Sequence, residues 1–141
     1  MTGIADLTTL LACMDPGLGD DELVFCTLAG AGLAECLTLS PVGCFIEPEG
    51  VSLIIGKAIA VQRGIKFDTT FRMITLYVHS SLQAVGVTAA IAGRLARHGI
   101  SANVVAAYYH DHVLVPTQDA DRALLLLRNL QAEATAEREI E

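Results

Sequence analysis

Two short stretches of the chain carry side chains that could do chemistry. In His110-Asp111-His112 two histidines flank an aspartate, and on one face of a strand such a pair could hold a metal ion. In His79-Ser80-Ser81 a histidine stands beside two serine hydroxyls, the base and the nucleophile that covalent catalysis combines. Either stretch predicts an enzyme only if a third group completes it, either another metal ligand or a residue that orients the base.

The rest of the sequence completes neither arrangement. The strand that would carry both histidines is expected to turn at His110-Asp111, and no third ligand such as Cys or Glu has an obvious position. The serines lack a G-x-S-x-G motif and are explained more simply as a cap on a helix that begins at Leu82. We therefore predict no catalytic residue, no metal and no cofactor. A metal-dependent enzyme that uses His110 and His112 is the third-ranked alternative.

Composition narrows the classes of function. Nine basic and sixteen acidic side chains give a net charge of −7, which opposes binding to nucleic acids and to anionic membranes, and the basic residues form no stripe. Hydrophobic residues make up 52% of the chain and charged residues 18%, a balance that favours burying surface in a homodimer. We expect no nucleic-acid partner and no membrane partner.

The cysteines and the first residues predict a cytoplasmic protein. Cys13, Cys26, Cys36 and Cys44 lie in the first third of the chain without C-x-x-C spacing, so we expect buried, reduced thiols. The N-terminal residues lack the basic region of a signal peptide and include Asp6. No apolar run reaches the roughly 18 residues that a membrane-spanning helix needs.

Hydrophobic periodicity and turn residues divide the second half of the chain into a β-α-β-β-α unit. Its predicted elements are a strand over 71–79, a helix over 82–98, a strand over 103–109, a strand over 112–116 and a helix over 119–131. Gly99 ends the first of these helices, and Val87, Ile91 and Leu95 form its core stripe at helical spacing. This order predicts a ferredoxin-like layer, in which helices cover one face of an antiparallel sheet.

The first half repeats this order with a shortened crossover, after a first helix capped by Asp6 or Thr8. Its predicted elements are strands over 22–28, 43–47 and 51–55 and a helix over 57–63. The predicted fold class is α+β, with two tandem ferredoxin-like units in domains 1–66 and 67–141. Each unit lacks the strand that would flank its first strand. We expect the open edges at 23–28 and 71–79 to pair with each other or across a dimer.

The string GVTAAIAGRLARHGIS, between a predicted strand and ANVV, resembles the first helix of the ACT domain. That family opens this helix with a Gly-aliphatic pair, here Gly86-Val87, and ends it with a Gly-Ile pair, here Gly99-Ile100. The hairpin YYHDHVLVP is similar to that of the aspartate-kinase-type ACT subfamily, which amino-acid sensors also use. FRMITL and NVVAAYYHDH are similar to strings in small stand-alone bacterial proteins with two ACT-like units. The resemblance covers Phe71 to about Leu130 in sequence and the first half in architecture.

The resemblance implies a ligand site between the turn after the first strand and the start of the second strand. The residues that it places there are Ser80, Ser81, Gln83, Ala84, Val85, Gly86, Val87, Thr88, Ser101 and Asn103. A helix N-terminus suits a ligand carboxylate, Gly86 allows close approach of the backbone, and the polar side chains can supply hydrogen bonds. Many family members carry Asn at the position of Ser101, and here Asn103 lies two residues on, on the same strand face.

The resemblance also implies a non-catalytic regulatory protein whose ligand is a small molecule, with an amino acid expected. The ligand would bridge two units and shift the population between two arrangements of their interface. We expect a cytoplasmic homodimer that regulates a separate metabolic enzyme, since no catalytic domain is attached. The alternative is a structural adaptor whose ACT-like units assemble with another enzyme and bind no ligand.

Overall fold

The computed structural model describes residues 6–79 and 81–140, and their contacts form two compact units. The first unit comprises residues 20–72, and the second comprises the residues before 20 and after 72. None of the described helices is long and apolar enough to cross a membrane. In chain order the elements are α1 (Leu7–Ala12), β1 (Pro16–Leu18), β2 (Leu23–Thr27), α2 (Leu33–Leu37), β3 (Gly43–Glu47), β4 (Gly50–Gly56), α3 (Lys57–Arg63), β5 (Phe71–Leu76), α4 (Val87–Arg97), β6 (Asn103–Ala106), β7 (Asp111–Pro116), a 3-10 turn (Thr117–Asp119) and α5 (Ala120–Ile140).

The first unit is an antiparallel sheet, in the order β3-β4-β2, with α2 and α3 packed on one face. Along β4 the buried side chains of Val51, Leu53 and Ile55 alternate with half-buried ones, as expected for a strand with one covered face. They pack with Cys36 of α2 and Ala60 of α3 in one hydrophobic cluster. The sequence pattern of this strand therefore determines which face the two helices cover.

The second unit is an antiparallel sheet in the order β1-β5-β7-β6, and α1, α4 and α5 contribute buried side chains to its core. The predicted stripe on α4 is buried: Ile91 and Leu95 are fully inaccessible and Val87 nearly so. They lie in one cluster with Ile74 of β5 and Leu127 of α5. The helix stripe and the strand faces thus form a single core.

The beginning of the chain supplies the strand that the sequence left missing from the second unit. β1 pairs antiparallel with β5, with Pro16 opposite Leu76 and Gly17 opposite Thr75. A methyl group on Gly17 would lie 2.6 Å from the Tyr77 ring, so only glycine leaves room for that ring against β1. The sequence does not predict β1, because three residues are too few to show the alternation of apolar and polar side chains that marks a strand.

The predicted fold class, α+β with two ferredoxin-like units, is confirmed. Several element bounds differ: β5 ends at Leu76, α4 begins at Val87, β6 ends at Ala106 and α5 continues through the tail to Ile140. The two open edges are expected to pair with each other, and a single residue pair, between residues 23 and 71, is present. Domains 1–66 and 67–141 divide the chain by its repeat, and that division stays a prediction.

Candidate ligand site

The loop between β5 and α4 ends in a glycine that sets where the helix begins. Gly86 precedes α4 with a φ of 97°, a conformation that side chains rarely adopt, and no side chain caps the helix. A methyl group on Gly86 would lie 3.1 Å from the Leu7 side chain, so the neighbouring helix also favours glycine here. The first helical hydrogen bond runs from the Ala90 N–H to the Gly86 carbonyl (2.9 Å). The N–H groups of Val87 and Thr88 therefore lie at the open end of the helix.

The predicted helix start at Leu82 is wrong, because a turn occupies this part of the chain. The Ser81 hydroxyl accepts a hydrogen bond from the Gln83 N–H (3.1 Å), and the Ser81 carbonyl accepts one from the Ala84 N–H (3.0 Å). Ser81 thus stabilises the loop and does not cap α4. Ser80, the other predicted cap, lies outside the described residues.

A small cavity opens where the first turn of α4 faces the hairpin between β6 and β7. Its volume is about 70 Å³, and it is lined by Ser81, Leu82, Ala84, Val87, Thr88, Ala106 and Asp111. All of these residues belong to the second unit. One bound water needs roughly 10–15 Å³, so the cavity has room for roughly five to seven non-hydrogen atoms.

The two walls of the cavity differ in electrostatic character. The N-terminus of α4 presents backbone N–H groups and the positive end of the helix dipole, which attract an anion. On the other wall lies the acidic residue Asp111, the first residue of β7. The hydroxyl groups of Ser81 and Thr88 add hydrogen-bonding capacity. Opposite charges on facing walls suit a small zwitterion, which carries a carboxylate and an ammonium a few bonds apart.

The structure brings some of the predicted ligand residues together. Ser81, Ala84, Val87 and Thr88 line the cavity, and Gly86 fixes the helix end beside them. Among the described predicted residues, the half-buried Gly86 does not line it, and neither do the exposed Gln83, Val85, Ser101 and Asn103. Sequence reasoning missed the lining residues Leu82, Ala106 and Asp111.

Ser101 and Asn103 lie at the other end of the sheet from this cavity. In the β6–β7 hairpin Asn103 is opposite Leu114, whereas Ala106 is opposite Asp111, and only the latter pair borders the cavity. β5 also runs opposite to β7, because Thr75 contacts His112 and, just beyond these two strands, the Tyr77 ring contacts the His110 ring. The end of β5 therefore lies near the end of β6. The predicted β-α-β-β order already implied this, since its crossover makes the first and second strands parallel.

His112, one of the two candidate metal ligands, is held against the sheet by Thr75. The Thr75 Oγ1 lies 2.9 Å from the His112 Nδ1, and Thr75 is buried. Burial lowers the pKa of His112, the nearby His110 lowers it further, and the Asp111 carboxylate partly opposes both effects. The fold therefore favours the neutral imidazole at this position.

His110 lies in the hairpin turn and contacts a different neighbour. Its ring meets the Tyr77 ring edge-on, with 5.4 Å between the ring centres. The buried His110 Nδ1 has no hydrogen-bond partner among the residues that the structure describes. Within those residues, no three His, Cys, Asp or Glu side chains come together as a metal site would require.

The prediction of buried thiols is correct for Cys36 and wrong for two other cysteines. Cys36 is fully buried, and Cys26 is half-buried with its pKa raised by burial and by the nearby Cys36. Cys13 and Cys44 are exposed, because Cys13 directly follows α1 and Cys44 lies on the edge strand β3. All four are free.

Comparison with known proteins finds similar proteins over most of the chain. Two family models match it, over residues 2–72 and 68–129, and both describe an ACT domain. A Vibrio cholerae protein of unknown function, described as a possible transport protein, is 47% identical with a TM-score of 0.80. That match covers 89% of this chain and 95% of the other. No curated protein matches the sequence.

Two aspartate kinase structures share the fold at lower identity. The ligand-free regulatory subunit from Thermus thermophilus is 13% identical, with a TM-score of 0.55 over 82% of this chain and 95% of its own. E. coli aspartokinase III, in complex with aspartate and ADP, is 14% identical, with a TM-score of 0.60 over 82% of this chain and 32% of its own.

Proposed function

Because the chain belongs to the ACT domain family, we propose that it is a regulatory protein that binds a small amino acid and catalyses no reaction. The cavity between the N-terminus of α4 and Asp111 carries this proposal. A ligand carboxylate would accept hydrogen bonds from the Val87 and Thr88 N–H groups, and its ammonium would donate to Asp111. The fold shared with an aspartate kinase regulatory subunit supports the regulatory role.

The small volume of the cavity favours the smallest amino acids as ligands. Room for roughly five to seven non-hydrogen atoms suits glycine, alanine or serine and is too little for lysine or phenylalanine. We assign the direct contacts to Ser81, Ala84, Val87, Thr88 and Asp111. The other proposed residues are Ser80, Gln83, Val85, Gly86, Ser101 and Asn103. Of these, the exposed Gln83, Val85, Ser101 and Asn103 would contact the ligand only where a second copy or a loop movement completes the site, and Gly86 would let the backbone approach the ligand.

We also propose that the protein is a cytoplasmic homodimer that regulates a separate metabolic enzyme. Phe45 and Ile46, on the edge strand β3, are 73% and 69% exposed, and exposed apolar edges of this kind are normally covered. The bound amino acid would act by favouring one of two arrangements of the dimer interface. The same exposed edge supports the second candidate, a structural adaptor that binds no ligand.

A thermal-shift titration with single amino acids distinguishes the two candidates. A ligand at 100 times its dissociation constant stabilises the folded state by about 2.7 kcal/mol, which raises the melting temperature by several degrees. We expect glycine, alanine or serine to give this shift, and lysine and phenylalanine to give none.

Matched variants place the site. Asp111→Asn and Thr88→Val should abolish the shift, whereas Asn103→Ala, outside the cavity, should retain it. No shift with any amino acid would contradict the proposal and favour the adaptor.

A further inference from the structure

A larger cavity lies wholly within the first unit, along the outer edge of β2. Its volume is about 710 Å³, within the range of about 300–1,000 Å³ that is usual for ligand pockets. One wall consists of residues 25–29 together with Ser52 and Leu53 of the neighbouring strand β4, and the other is the segment 63–68 at the end of α3 and beyond. The cavity is therefore a groove between a strand and the chain segment that runs beside it.

The backbone on this edge of β2 is directed into the groove. The Lys57 N–H donates to the Glu22 carbonyl (2.9 Å), which fixes the backbone of Glu22 towards the β4 side. Because backbone groups alternate along an antiparallel strand, the N–H and C=O groups of Phe25 and Thr27 are directed to the opposite, outer side. No strand pairs with these two residues on that side, among the residues that the structure describes.

A single residue pair closes one end of the groove. Leu23 pairs with Phe71, and the Phe71 ring meets the Phe25 ring edge-on at 5.0 Å. From this pair the two segments diverge, so residues 65–68 line the groove but form no ladder with β2. Beyond this pair, no described strand residue pairs with Phe25 or Thr27 on this side, and the groove lies beside them.

The charges on the groove favour an acidic occupant. Arg63 and Lys66 line it and are exposed, and neither forms an ion pair with a described residue. Asp68 supplies the single carboxylate in the lining. Two cations concentrated in one groove are notable in a chain with a net charge of −7. Apolar contact is available from Phe25, which is 41% exposed, and from the half-buried Phe67.

We propose that this groove binds an extended segment of a partner protein that carries acidic side chains. The segment adds to β2 as a strand, exchanges backbone hydrogen bonds with Phe25 and Thr27, and places carboxylates near Arg63 and Lys66. A small organic anion would leave the strand edge unpaired. A second copy paired through the same edge would bring two basic rims together, so the partner is a different, acidic chain.

Fluorescence anisotropy with two synthetic peptides tests this proposal on the full chain. The probe is an extended peptide of alternating valine and glutamate, and in the matched peptide lysine replaces glutamate. We expect the glutamate peptide to bind and the lysine peptide to bind at least about tenfold more weakly. The double variant Arg63→Glu, Lys66→Glu should weaken binding by a similar factor. Arg128→Glu, an exposed charge reversal outside the groove, should leave it unchanged.

Residue-resolved amide hydrogen exchange shows where the peptide binds. Exchange at Phe25 and Thr27 should slow when the peptide binds, while Val24 and Cys26, which face β4, should not change. Absence of binding, equal binding of both peptides, or slowed exchange elsewhere would overturn the proposal. Slowed exchange with free glutamate alone would also overturn it, because it would indicate a small-molecule site. Exchange that slows as the protein concentration rises, without peptide, would overturn it as well, because it would indicate pairing with a second copy.

Discussion

Gly86 is expected to resist substitution for two reasons, its positive φ and its close contact with Leu7. A comparison with Gly99, which has a positive φ but no such contact, separates the two. Gly86 has a φ of 97°, it begins α4, and its Cα faces the Leu7 side chain of α1. Gly99, after the end of α4, also has a positive φ, of 72°, but a methyl group there would meet nothing within 4 Å. Gly86→Ala and Gly99→Ala are therefore a matched pair.

The expected costs of the two substitutions follow from these contacts. Forcing a side chain into the left-handed region costs about 1–2 kcal/mol, and Gly99→Ala should lose only this amount. Gly86→Ala adds a contact 3.1 Å from Leu7, for which overpacking costs typically about 1–3 kcal/mol. The sum is a loss of roughly 2–5 kcal/mol in the free energy of unfolding.

Urea unfolding of the wild type and both variants measures these losses. We expect Gly86→Ala to be clearly the less stable variant and to lose the thermal shift with small amino acids, because the first turn of α4 moves. Gly99→Ala should keep that thermal shift. Equal losses of stability in the two variants would refute the assignment of Leu7 as the close neighbour that makes glycine necessary.

Four further substitutions test other parts of the structure by urea unfolding. Leu95→Ala should lower the free energy of unfolding by about 2–5 kcal/mol, because Leu95 is fully buried. Leu125→Ala, at an exposed position, should lower it by less than about 0.5 kcal/mol. Similar losses in the two variants would contradict the assigned core. Arg94 donates two 2.7 Å hydrogen bonds to Glu133 and lowers the pKa of that carboxyl, so this stabilisation is present above about pH 4.5 and is lost as the pH falls. Arg94→Met should therefore destabilise the protein at neutral pH, and this effect should shrink as the pH is lowered below 4.5; an effect that does not change with pH would oppose this. Because burial lowers the pKa of His112, the unfolded chain binds the proton more tightly and stability should decrease as the pH falls below about 6.5. His112→Asn should weaken this pH dependence, and an unchanged profile would contradict the assignment.

The sequence predicts the elements best where local signals and burial agree. The structure places α3 at Lys57–Arg63, as predicted, because Gly64 at a φ of 66° ends the helix as a glycine C-cap does. The alternation along β4 likewise matches its buried face. Such features depend on neighbours in sequence, and the sequence displays them directly.

Local signals fail where contacts between distant residues decide the structure. Leu82 to Val85 suit a helix, yet α4 begins only after Gly86, whose backbone conformation and contact with Leu7 come from tertiary packing. The strand β1 depends on pairing with β5, some 58 residues later between Gly17 and Thr75. The sequence presents Asp111 only as part of His110-Asp111-His112, because its approach to the N-terminus of α4 depends on strand order.

The proposed function requires that a small amino acid binds between the N-terminus of α4 and Asp111. An amide chemical-shift titration of the full chain with alanine measures this binding at individual residues. We predict saturable shifts at Val87 and Thr88, absent in Asp111→Asn and retained in Asn103→Ala. No saturable shift at those amides, or the same shifts in Asp111→Asn, would contradict the claim.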